Sequence, residues 1–319
     1  MPILLSLAAA VFPMLMYLLI IWKMDKYEPE PLKYVLQHFL WGAFGAIIFG
    51  IIGSEIVSSQ MSEIIFDDYQ FSLLQTVLVA PFVEEITKGF YLLFTVNSKK
   101  FDNLTDGLVY GGAIGLGFGM TENFLYFISY GDTLEAWIYL VVIRSGFSAV
   151  MHCMSTATLG AFFSRGKYSV NGKVFYPLLG LFSAMFIHFL WNFSVSFENT
   201  FMYGFLMIIV IVVIFFIVYR ISLKHEQNII TEELSEEKDL FPLSYVPILA
   251  SPARFKRGWI EEDIRKTFSN AATTLAFRKR EFKRIKDSRK ESYAKDIMSI
   301  RHYISTLIKH ENEYEEETT

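Results

Sequence analysis

The chain has 319 residues, of which 53% are hydrophobic and 17% aromatic, and its mean hydropathy is +0.35. Soluble domains do not usually combine 31 Phe and 17 Tyr with so few charges, so the composition indicates a membrane protein. The formal net charge of −4 gives no reason to expect a nucleic-acid partner, and the single cysteine, Cys153, excludes an intramolecular disulfide and a cysteine-based zinc cluster.

Long apolar runs predict an all-α fold, a polytopic membrane bundle of about seven transmembrane helices. A helix needs about 20 predominantly apolar residues to cross a bilayer. The runs that satisfy this length are 3–22, 34–54, 71–95, 104–130, 137–163, 174–197 and 201–219. The first run lacks the basic flank of a signal peptide, so we expect it to be retained as a span.

The connections between these runs alternate in charge. Basic residues fall in every second connection, at Lys23, Lys26, Lys33, Lys99, Lys100, Arg165, Lys167 and Lys173. The connections in between, at 55–70, 131–136 and 198–200, contain acidic residues and no Lys or Arg. Because basic loops stay in the cytoplasm, the pattern predicts a multi-pass protein of the cell membrane, with its N-terminus outside and its C-terminus cytoplasmic.

Glycine is concentrated in the fourth run. Gly111, Gly115 and Gly119 recur every four residues and therefore share one helix face. Such spacing predicts close packing against a neighbouring helix. A nucleotide-binding loop is not expected, since no strand precedes these glycines and their spacing is wrong for one.

Beyond Tyr219 the composition changes and the chain is predicted to leave the membrane. The sequence divides into a transmembrane domain at 1–219, a cytoplasmic linker at 220–257 and a cytoplasmic amphipathic helical tail at 258–319. Apolar residues keep helical spacing in two runs of the tail, which predicts a hairpin of two helices. A basic cluster either lies against anionic lipid or forms a solvated helix face: Arg278, Lys279, Arg280, Lys283, Arg284 and Lys286.

The third predicted span carries three ionisable residues, Glu84, Glu85 and Lys88, near its middle. Each such group costs about 2.5–3.5 kcal/mol even on a lenient insertion scale, so a functional reason is expected. Adjacent side chains on a helix diverge by about 100°, so the two carboxylates are not expected to point at one spot. Lys88 lies one turn further on and can pair with either. We expect Glu84 to be the working residue and Glu85 to support it.

The next three spans carry the other candidate residues: Glu122 and Asn123, Arg144 and His152, and His188 and Asn192. All lie inside their spans and can meet at a similar depth. Taken singly, several have a structural explanation, such as Arg144 in a buried ion pair with a glutamate or His152 as a hydrogen-bonded core histidine. Their occurrence together favours a functional site.

Hydrolysis of a peptide bond needs a base that activates water and donors that stabilise an oxyanion, and these residues can supply both. The His-Glu-x-x-His motif of zinc proteases and the Gly-x-Gly-Asp motif of aspartyl intramembrane proteases are absent. Ile143 replaces the first glycine of a rhomboid-like Gly-x-Ser-Gly around Ser145. Two other functions stay open, a proton-coupled transporter and a non-catalytic receptor, because buried Glu, His and Arg also build proton relays.

Four motifs in order on consecutive spans resemble those of the PrsW family of intramembrane proteases: Glu84-Glu85-x-x-Lys88, Phe118-Gly119-x-x-Glu122-Asn123, Arg144 through His152, and His188-x-x-Trp191-Asn192. Two further stretches are similar to that family, Glu28-Pro29-Glu30-Pro31 and Asp106-Gly107-x-x-Tyr110-Gly111. The resemblance runs from about residue 20 to 197 and does not cover the tail.

The resemblance implies a protease domain within 1–219, related to the CAAX-protease and bacteriocin-processing group, in which a glutamate–histidine pair activates water. It implies that Glu84 or Glu85 is the base, with His152 as its helper. His188 and Asn192 would donate to the oxyanion. Glu122 belongs to the implied catalytic set, and the supporting residues are Lys88, Asn123 and Arg144.

No cofactor is favoured by this resemblance, but a zinc-dependent reaction stays open. Glu85, His152 and His188 would then be the ligands, with an open position for water. The implied partners are the lipid bilayer and a membrane-protein substrate, for example a single-pass regulator such as an anti-sigma factor cleaved near the outer face. The sequence does not indicate the oligomeric state.

Overall fold

The computed structural model describes residues 1–62, 67–99, 101–167, 169, 171–285 and 287–318. Within these ranges the chain is mainly helical and contains no strand, which confirms the predicted all-α bundle. Lys100 and Lys286, two members of the predicted basic sets, lie outside the described residues. The chain divides into two compact units, Met1–Asp25 with Pro29–Tyr219, and Lys26–Glu28 with Arg220–Thr319.

Each of the predicted apolar runs overlaps one long helix of the described chain. The helices are α1 (Ile3–Met24), α2 (Leu32–Leu40, Trp41–Ala46 and Ile47–Ser62), α3 (Asp68–Leu74, Gln75–Val79 and Ala80–Thr95), α4 (Leu104–Tyr130), α5 (Leu134–Ile143, Arg144–Ser148 and Ala149–Lys167), α6 (Phe175–Val195) and α7 (Phe201–Leu234). The middle stretches of α2, α3 and α5 are π-helical, and each helix continues through its π-helical turn.

Among the described residues, five helices are long and apolar enough to cross a membrane: Ile3–Met24, Leu32–Met61, Leu134–Lys167, Phe175–Val195 and Phe201–Leu234. The chain is therefore a multi-pass membrane protein. Helices α3 and α4 are less apolar, because α3 carries Glu84, Glu85 and Lys88 and α4 is rich in glycine. That these two also cross remains a prediction, which the alternation of loop charge requires.

Helix α4 is enclosed by α1, α2 and α5. All its residues from Thr105 to Gly119 are buried. At its N-terminus Asn103 Oδ1 accepts from the Asp106 amide, and the Asp106 carboxylate accepts from the Asn103 amide, which forms a capping box. The start of α4 is thus defined by its sequence, and the surrounding helices are arranged about it.

Glycines on one face of α4 bring this helix against the backbone of α5. A Cβ atom on Gly111 would lie 2.2 Å from the carbonyl oxygen of Thr156, and one on Gly115 would lie 2.1 Å from that of His152. Gly119, one turn further on, also packs against α5. The predicted close helix packing is confirmed. This packing also fixes the position of His152 along the helix axis relative to the candidate residues of α4.

Because no side chain fits at this contact, Gly115→Ala is expected to destabilise the folded protein by about 1–3 kcal/mol, the usual cost of overpacking. Thermal unfolding of the purified protein in detergent measures the effect. Gly146→Ala is the matched control, since a Cβ atom on Gly146 has no neighbour within 4 Å among the described residues. Equal unfolding temperatures for the two variants would show that the α4–α5 contact is not tight.

The π-helical turns of α2, α3 and α5 all lie next to polar contacts between helices. The Ala43 carbonyl in the first turn accepts from Thr121 Oγ1 at 2.7 Å. The Thr76 carbonyl in the second accepts from Asn192 Nδ2 at 2.8 Å. The third turn begins at Arg144. Because π-helical turns are rare and often occur at functional sites, their grouping here points to the region between α3, α4, α5 and α6.

The second unit is built from the end of α7 and from shorter segments: α8 (Tyr245–Leu249), a 3₁₀ turn (Pro252–Phe255), α9 (Glu262–Arg284) and α10 (Asp287–Thr318). The structure differs from the predicted linker, because residues up to Leu234 are helical. Ile229, Ile230 and Leu234 keep helical spacing and pack in one core with Phe268 of α9. Their apolar spacing is what extends α7 past the predicted end of the span.

Two members of the basic cluster, Lys279 and Lys283, form ion pairs with acidic residues near the end of α7. Lys279 pairs with Glu237 at 2.6 Å, and Lys283 pairs with Glu233 at 2.7 Å. Both ammonium groups also donate to Glu236 and hold the pKa of its carboxyl below the usual value. The end of α7 and the residues just after it therefore supply partners to these two lysines, while Lys283 remains exposed.

The second unit also includes the short connector at residues 26–28. Gln227 Nε2 donates to the Tyr27 hydroxyl at 2.6 Å, and Thr274 Oγ1 donates to Glu28 at 3.1 Å. The Tyr27 carbonyl accepts from Arg254 at 3.2 Å. The connector between α1 and α2 is thus part of the hydrophobic core and hydrogen bonding of the tail domain.

Candidate active site

Side chains of α3, α4, α5 and α6 meet in one largely buried polar cluster. Its members, all predicted from the sequence, are Glu84, Glu85, Lys88, Glu122, Asn123, Arg144, His152 and His188. Hydrogen bonds and ion pairs connect them without a gap from Arg144 to Glu84. Asn192 lines the adjoining cavity and makes its hydrogen bond elsewhere.

Lys88 is at the centre of the cluster. Its Nζ lies 2.8 Å from Glu85 Oε1, 2.8 Å from His152 Nδ1 and 3.5 Å from Glu84 Oε2. It is fully buried and lies 4.0 Å from the centroid of the Phe118 ring, a cation–π contact. Because an ammonium group only donates, Lys88 holds both glutamates and one histidine together.

Glu85 is completely buried and accepts hydrogen bonds from several directions. Its Oε1 faces His188 Nδ1 at 3.0 Å and accepts from Ser155 Oγ at 3.3 Å. Its Oε2 accepts a long hydrogen bond from Thr156 Oγ1 at 3.5 Å. Together with Lys88, these groups enclose the carboxylate, and no face of it is left to water.

Glu84 differs from its neighbour in exposure and in bonding. Its side chain is 15% exposed and lines a cavity. Its Oε2 lies 3.9 Å from His188 Nε2 and makes no hydrogen bond to any described residue. The two carboxylates were not expected to point at one spot, but both approach Lys88 and His188, because the Lys88 ammonium contacts both and the two ring nitrogens of His188 face different carboxylates.

Glu122 joins the α4 and α5 parts of the cluster. Its Oε2 lies 2.7 Å from His152 Nε2 and 2.7 Å from Arg144 Nη2. Arg144 also donates from Nε to Asn123 Oδ1 at 3.2 Å, and its guanidinium lies 3.5 Å above the Tyr126 ring. The ion pair expected for Arg144 is therefore present, and its partner is Glu122.

The hydrogen-bond partners assign a different tautomer to each histidine. Lys88 can only donate, so His152 accepts at Nδ1 and donates from Nε2 to Glu122. His188 donates from Nδ1 to the enclosed Glu85 carboxylate, which leaves Nε2 as an acceptor facing Glu84. His152 therefore has both ring nitrogens occupied, and His188 has one acceptor that is not.

A cavity of about 460 Å³ adjoins the cluster. Its walls include four of the candidate residues, Glu84, Glu122, Arg144 and Asn192. Its walls also include the exposed residues Glu55 and Thr76, near the connection at 55–70 that loop charge predicts to be outside. The site therefore combines a polar interior with an adjoining space large enough to hold water.

Glu84, His152 and His188 each offer a ligand atom, and these atoms lie within 4.8 Å of one another. Two imidazoles and a carboxylate fit zinc by donor type, with an open position for water. The predicted ligand set contained Glu85, and the structure brings Glu84 there instead because Glu85 is enclosed by other donors. His188 offers a free acceptor, whereas His152 would have to release Glu122 to bind a metal through Nε2.

Two contributions to the site were not predicted. The Phe118 ring lies against the Lys88 ammonium, and its position four residues before Glu122, on the same helix face, was an available signal. Thr76 contributes its backbone carbonyl to Asn192. A backbone carbonyl is present at every residue, so the sequence pattern could not indicate that the one at Thr76 would be used.

Comparisons with known proteins point to one protein family. The family model described as PrsW family intramembrane metalloprotease matches residues 30–219. The chain is 27% identical over 183 residues to Protease PrsW of Geobacillus kaustophilus (strain HTA426), covering 57% of this chain and 76% of that protein. It is 25% identical over 211 residues to Protease PrsW of Bacillus subtilis (strain 168), covering 66% and 91% respectively. No solved structure matches the chain significantly.

Proposed function

Since this chain belongs to the PrsW family of intramembrane proteases, we propose that it cleaves a membrane-protein substrate with a water molecule activated by Glu84. The contrast within the glutamate pair supports this assignment most directly. Glu85 is enclosed by donors, whereas Glu84 lines the cavity and has an oxygen without a hydrogen bond to any described residue. A general base must reach the water, and of the pair Glu84 alone lines the cavity.

In the proposed reaction a water molecule in the cavity gives a proton to the Glu84 carboxylate, and its oxygen attacks the carbonyl carbon of the scissile bond. The π electrons of the carbonyl move onto its oxygen and form a tetrahedral oxyanion. When the intermediate collapses, the C–N bond breaks and Glu84 transfers its proton to the leaving nitrogen. The products are a carboxyl terminus and an amine, and the Glu84 carboxylate is regenerated.

We assign His188 to Glu84 as its helper. Donation from Nδ1 to Glu85 orients the ring, and Nε2 is left as an acceptor 3.9 Å from Glu84 Oε2. That acceptor can receive a hydrogen bond from the attacking water or from the protonated Glu84. The geometry thus favours His188 for a role that the family resemblance gave to another histidine.

His152 is then a positioning residue. The resemblance implied that it helps the base, but its ring nitrogens are engaged by Lys88 at 2.8 Å and Glu122 at 2.7 Å. It therefore couples the ammonium group on α3 to the carboxylate on α4. Arg144 completes this chain of contacts by pairing with Glu122.

Asn192 is the proposed donor to the oxyanion. It lines the same cavity as Glu84, and its side-chain amide has two N–H groups, of which one satisfies the Thr76 carbonyl. The second N–H can bind the oxygen of the substrate. Arg144 also lines the cavity and provides a nearby positive charge for the developing anion.

The position of the cavity suggests which bond is cleaved. Its exposed end adjoins the acidic connections that loop charge places outside the cell membrane. We therefore propose cleavage near the outer face of a single-pass membrane protein, the class to which anti-sigma factors belong.

Reconstitution of the full-length chain in liposomes tests the activity. A panel of single-span membrane proteins, each carrying a fluorescent outer domain, is incorporated with it, and release of that domain is measured. We expect release from at least one panel member, with a single new terminus close to the outer end of its span. Intact panel members in the presence of folded enzyme would reject the proposed function.

Zinc-dependent hydrolysis is the second candidate, favoured by the proximity of the ligand atoms of Glu84, His152 and His188. A zinc ion bound by these residues would supply a Lewis acid that lowers the pKa of water. The same side chains would hold the ion, so the two mechanisms differ in metal content rather than in the residues that they need.

For the metal-free mechanism we expect the purified protein to contain far less than one equivalent of zinc, and its cleavage rate to survive treatment with a strong chelator. Elemental analysis gives the metal content independently of activity. Stoichiometric zinc, with activity lost on chelation and restored by added zinc, would contradict the metal-free mechanism and support the second candidate.

A further inference from the structure

We propose that an apolar groove between α2, α3 and α6 receives the transmembrane helix of the substrate. This inference rests on the proposed function, because it names the surface that presents the substrate to Glu84. The groove has a volume of about 440 Å³. Its walls include Val57, Leu78, Phe82, Phe182, Phe186 and Phe189.

The groove adjoins the catalytic cavity on α3 and on α6. On α3, Val77 lines the groove and the preceding residue, Thr76, lines the cavity. On α6, Phe189 lies in the groove, less than one turn before Asn192 in the cavity. The π-helical turn Gln75–Val79 lies where the two spaces adjoin. A chain that leaves the groove past this turn therefore arrives beside the proposed oxyanion donor.

The surface of the groove suits an apolar helix. None of its described lining residues is charged, and several large side chains remain open to a partner, including Leu78, Phe82 and Phe186. Helices associate within a bilayer by close van der Waals packing, and a concave surface offers a helix more such contact than a flat one. The occupant is therefore a single transmembrane helix, and a polar or soluble segment is excluded by the absence of polar partners.

A second apolar cavity shows why this groove is singled out. It has a volume of about 510 Å³ and is bordered by α4, α5, α6 and α7. Arg165 lies in its wall, and none of its lining residues belongs to α2 or α3. That cavity is therefore not continuous with Glu84 along α3, and it offers a cation that an apolar helix does not need.

Phe186→Ala tests the groove through the kinetics of cleavage in liposomes. The panel member that the unmodified chain cleaves is used as substrate at several substrate-to-lipid ratios. We expect KM to rise about tenfold with little change in kcat, since the variant removes binding outside the reacting groups. Phe186 is 59% exposed, so its loss leaves the core intact; Leu78→Trp, which fills the groove, is expected to act in the same direction.

Phe216→Ala on α7 is the matched control, because Phe216 is a similarly exposed aromatic residue, at 49%, that does not line the groove. Its KM is expected to equal that of the unmodified chain. If Phe186→Ala, Leu78→Trp and the control all have the same KM, the groove does not bind the substrate, and the proposed function is unaffected. If the unmodified chain cleaves no panel member, the proposed function fails first and the groove with it.

Photochemical crosslinking identifies the occupant directly. A benzophenone amino acid replaces Phe186 or, as the control, Phe216 in a chain that also carries Glu84→Gln, so that bound substrate is not consumed. We expect adducts with the cleavable panel member from position 186 and not from position 216. Adducts with lipid alone, or with a second copy of this chain, would assign the groove to those occupants and overturn the proposal.

Discussion

Glu84→Gln is expected to lower kcat for substrate cleavage by about 10²–10⁴-fold, the usual contribution of a general base, and to change the unfolding temperature little. The glutamine keeps the size of the side chain but cannot take a proton from water. Stability is largely kept because Lys88, which lies 3.5 Å from Glu84 Oε2, retains its closer ion pair with Glu85 at 2.8 Å. Reconstituted cleavage assays and thermal unfolding in detergent measure the two effects separately.

The adjacent variant, Glu85→Gln, gives the contrast. In the unmodified chain the Glu85 carboxylate is fully buried and faces Lys88 and His188. The substitution should therefore lower the unfolding temperature as well as the cleavage rate. Glu198→Gln is the control, since this exposed acid lies in the connection after α6. Full activity of Glu84→Gln would exclude Glu84 as the base, and a loss confined to Glu85→Gln would exchange the two roles.

The sequence predicted the helices well because the bilayer imposes a simple rule on length and polarity. Each apolar run corresponds to a helix of the described chain, and the glycine spacing of α4 correctly predicted its contact with α5. The residues that form the polar cluster were also predictable, because ionisable side chains at the same depth in a membrane pair with one another. Arg144 illustrates this, because an ion pair with a glutamate was predicted for it and the structure pairs it with Glu122.

The arrangement within the cluster was not predictable, because it depends on contacts between helices rather than on spacing along one of them. The 100° between Glu84 and Glu85 says that they diverge but not which of them reaches the cavity. The roles of His152 and His188 depend on which ring nitrogen meets a donor, and Lys88 decides this for His152. Sequence spacing holds no information about either.

The tail shows a different limit. Its two helices were predicted from apolar spacing, whereas the partners of its basic residues lie at the end of α7 and just after it, in a region predicted to be a linker. Prolines at 242, 247 and 252 were a poor guide to the end of the transmembrane helix, since Pro247 lies within α8 and Pro252 begins the 3₁₀ turn. Apolar residues at 229, 230 and 234, which form part of a core, were the better indicator.

Lys88→Met is expected to destabilise the protein by about 3–5 kcal/mol, the usual cost of removing one partner from a buried charge pair. Methionine fills a similar volume but offers no donor, so the fully buried Glu85 carboxylate loses its closest cation and His152 Nδ1 loses its hydrogen bond. Unfolding of the purified protein in detergent measures the stability. The cleavage rate should fall too, because the positions of Glu84 and His152 both depend on this ammonium group.

The double variant Lys88→Met with Glu85→Gln separates loss of charge balance from loss of packing. Removing both charges avoids an unpaired buried carboxylate, so the double variant should be more stable than Lys88→Met alone, with a coupling energy of about 0.5–3 kcal/mol. Activity should not recover, because His152 still lacks the donor at Nδ1 and Glu84 still lacks its nearest cation. Recovery of stability without activity would separate two tasks of Lys88, balancing a buried charge and orienting the residues around the cavity. A double variant no more stable than Lys88→Met would mean that the Lys88–Glu85 pair, at 2.8 Å, is not what stabilises the cluster.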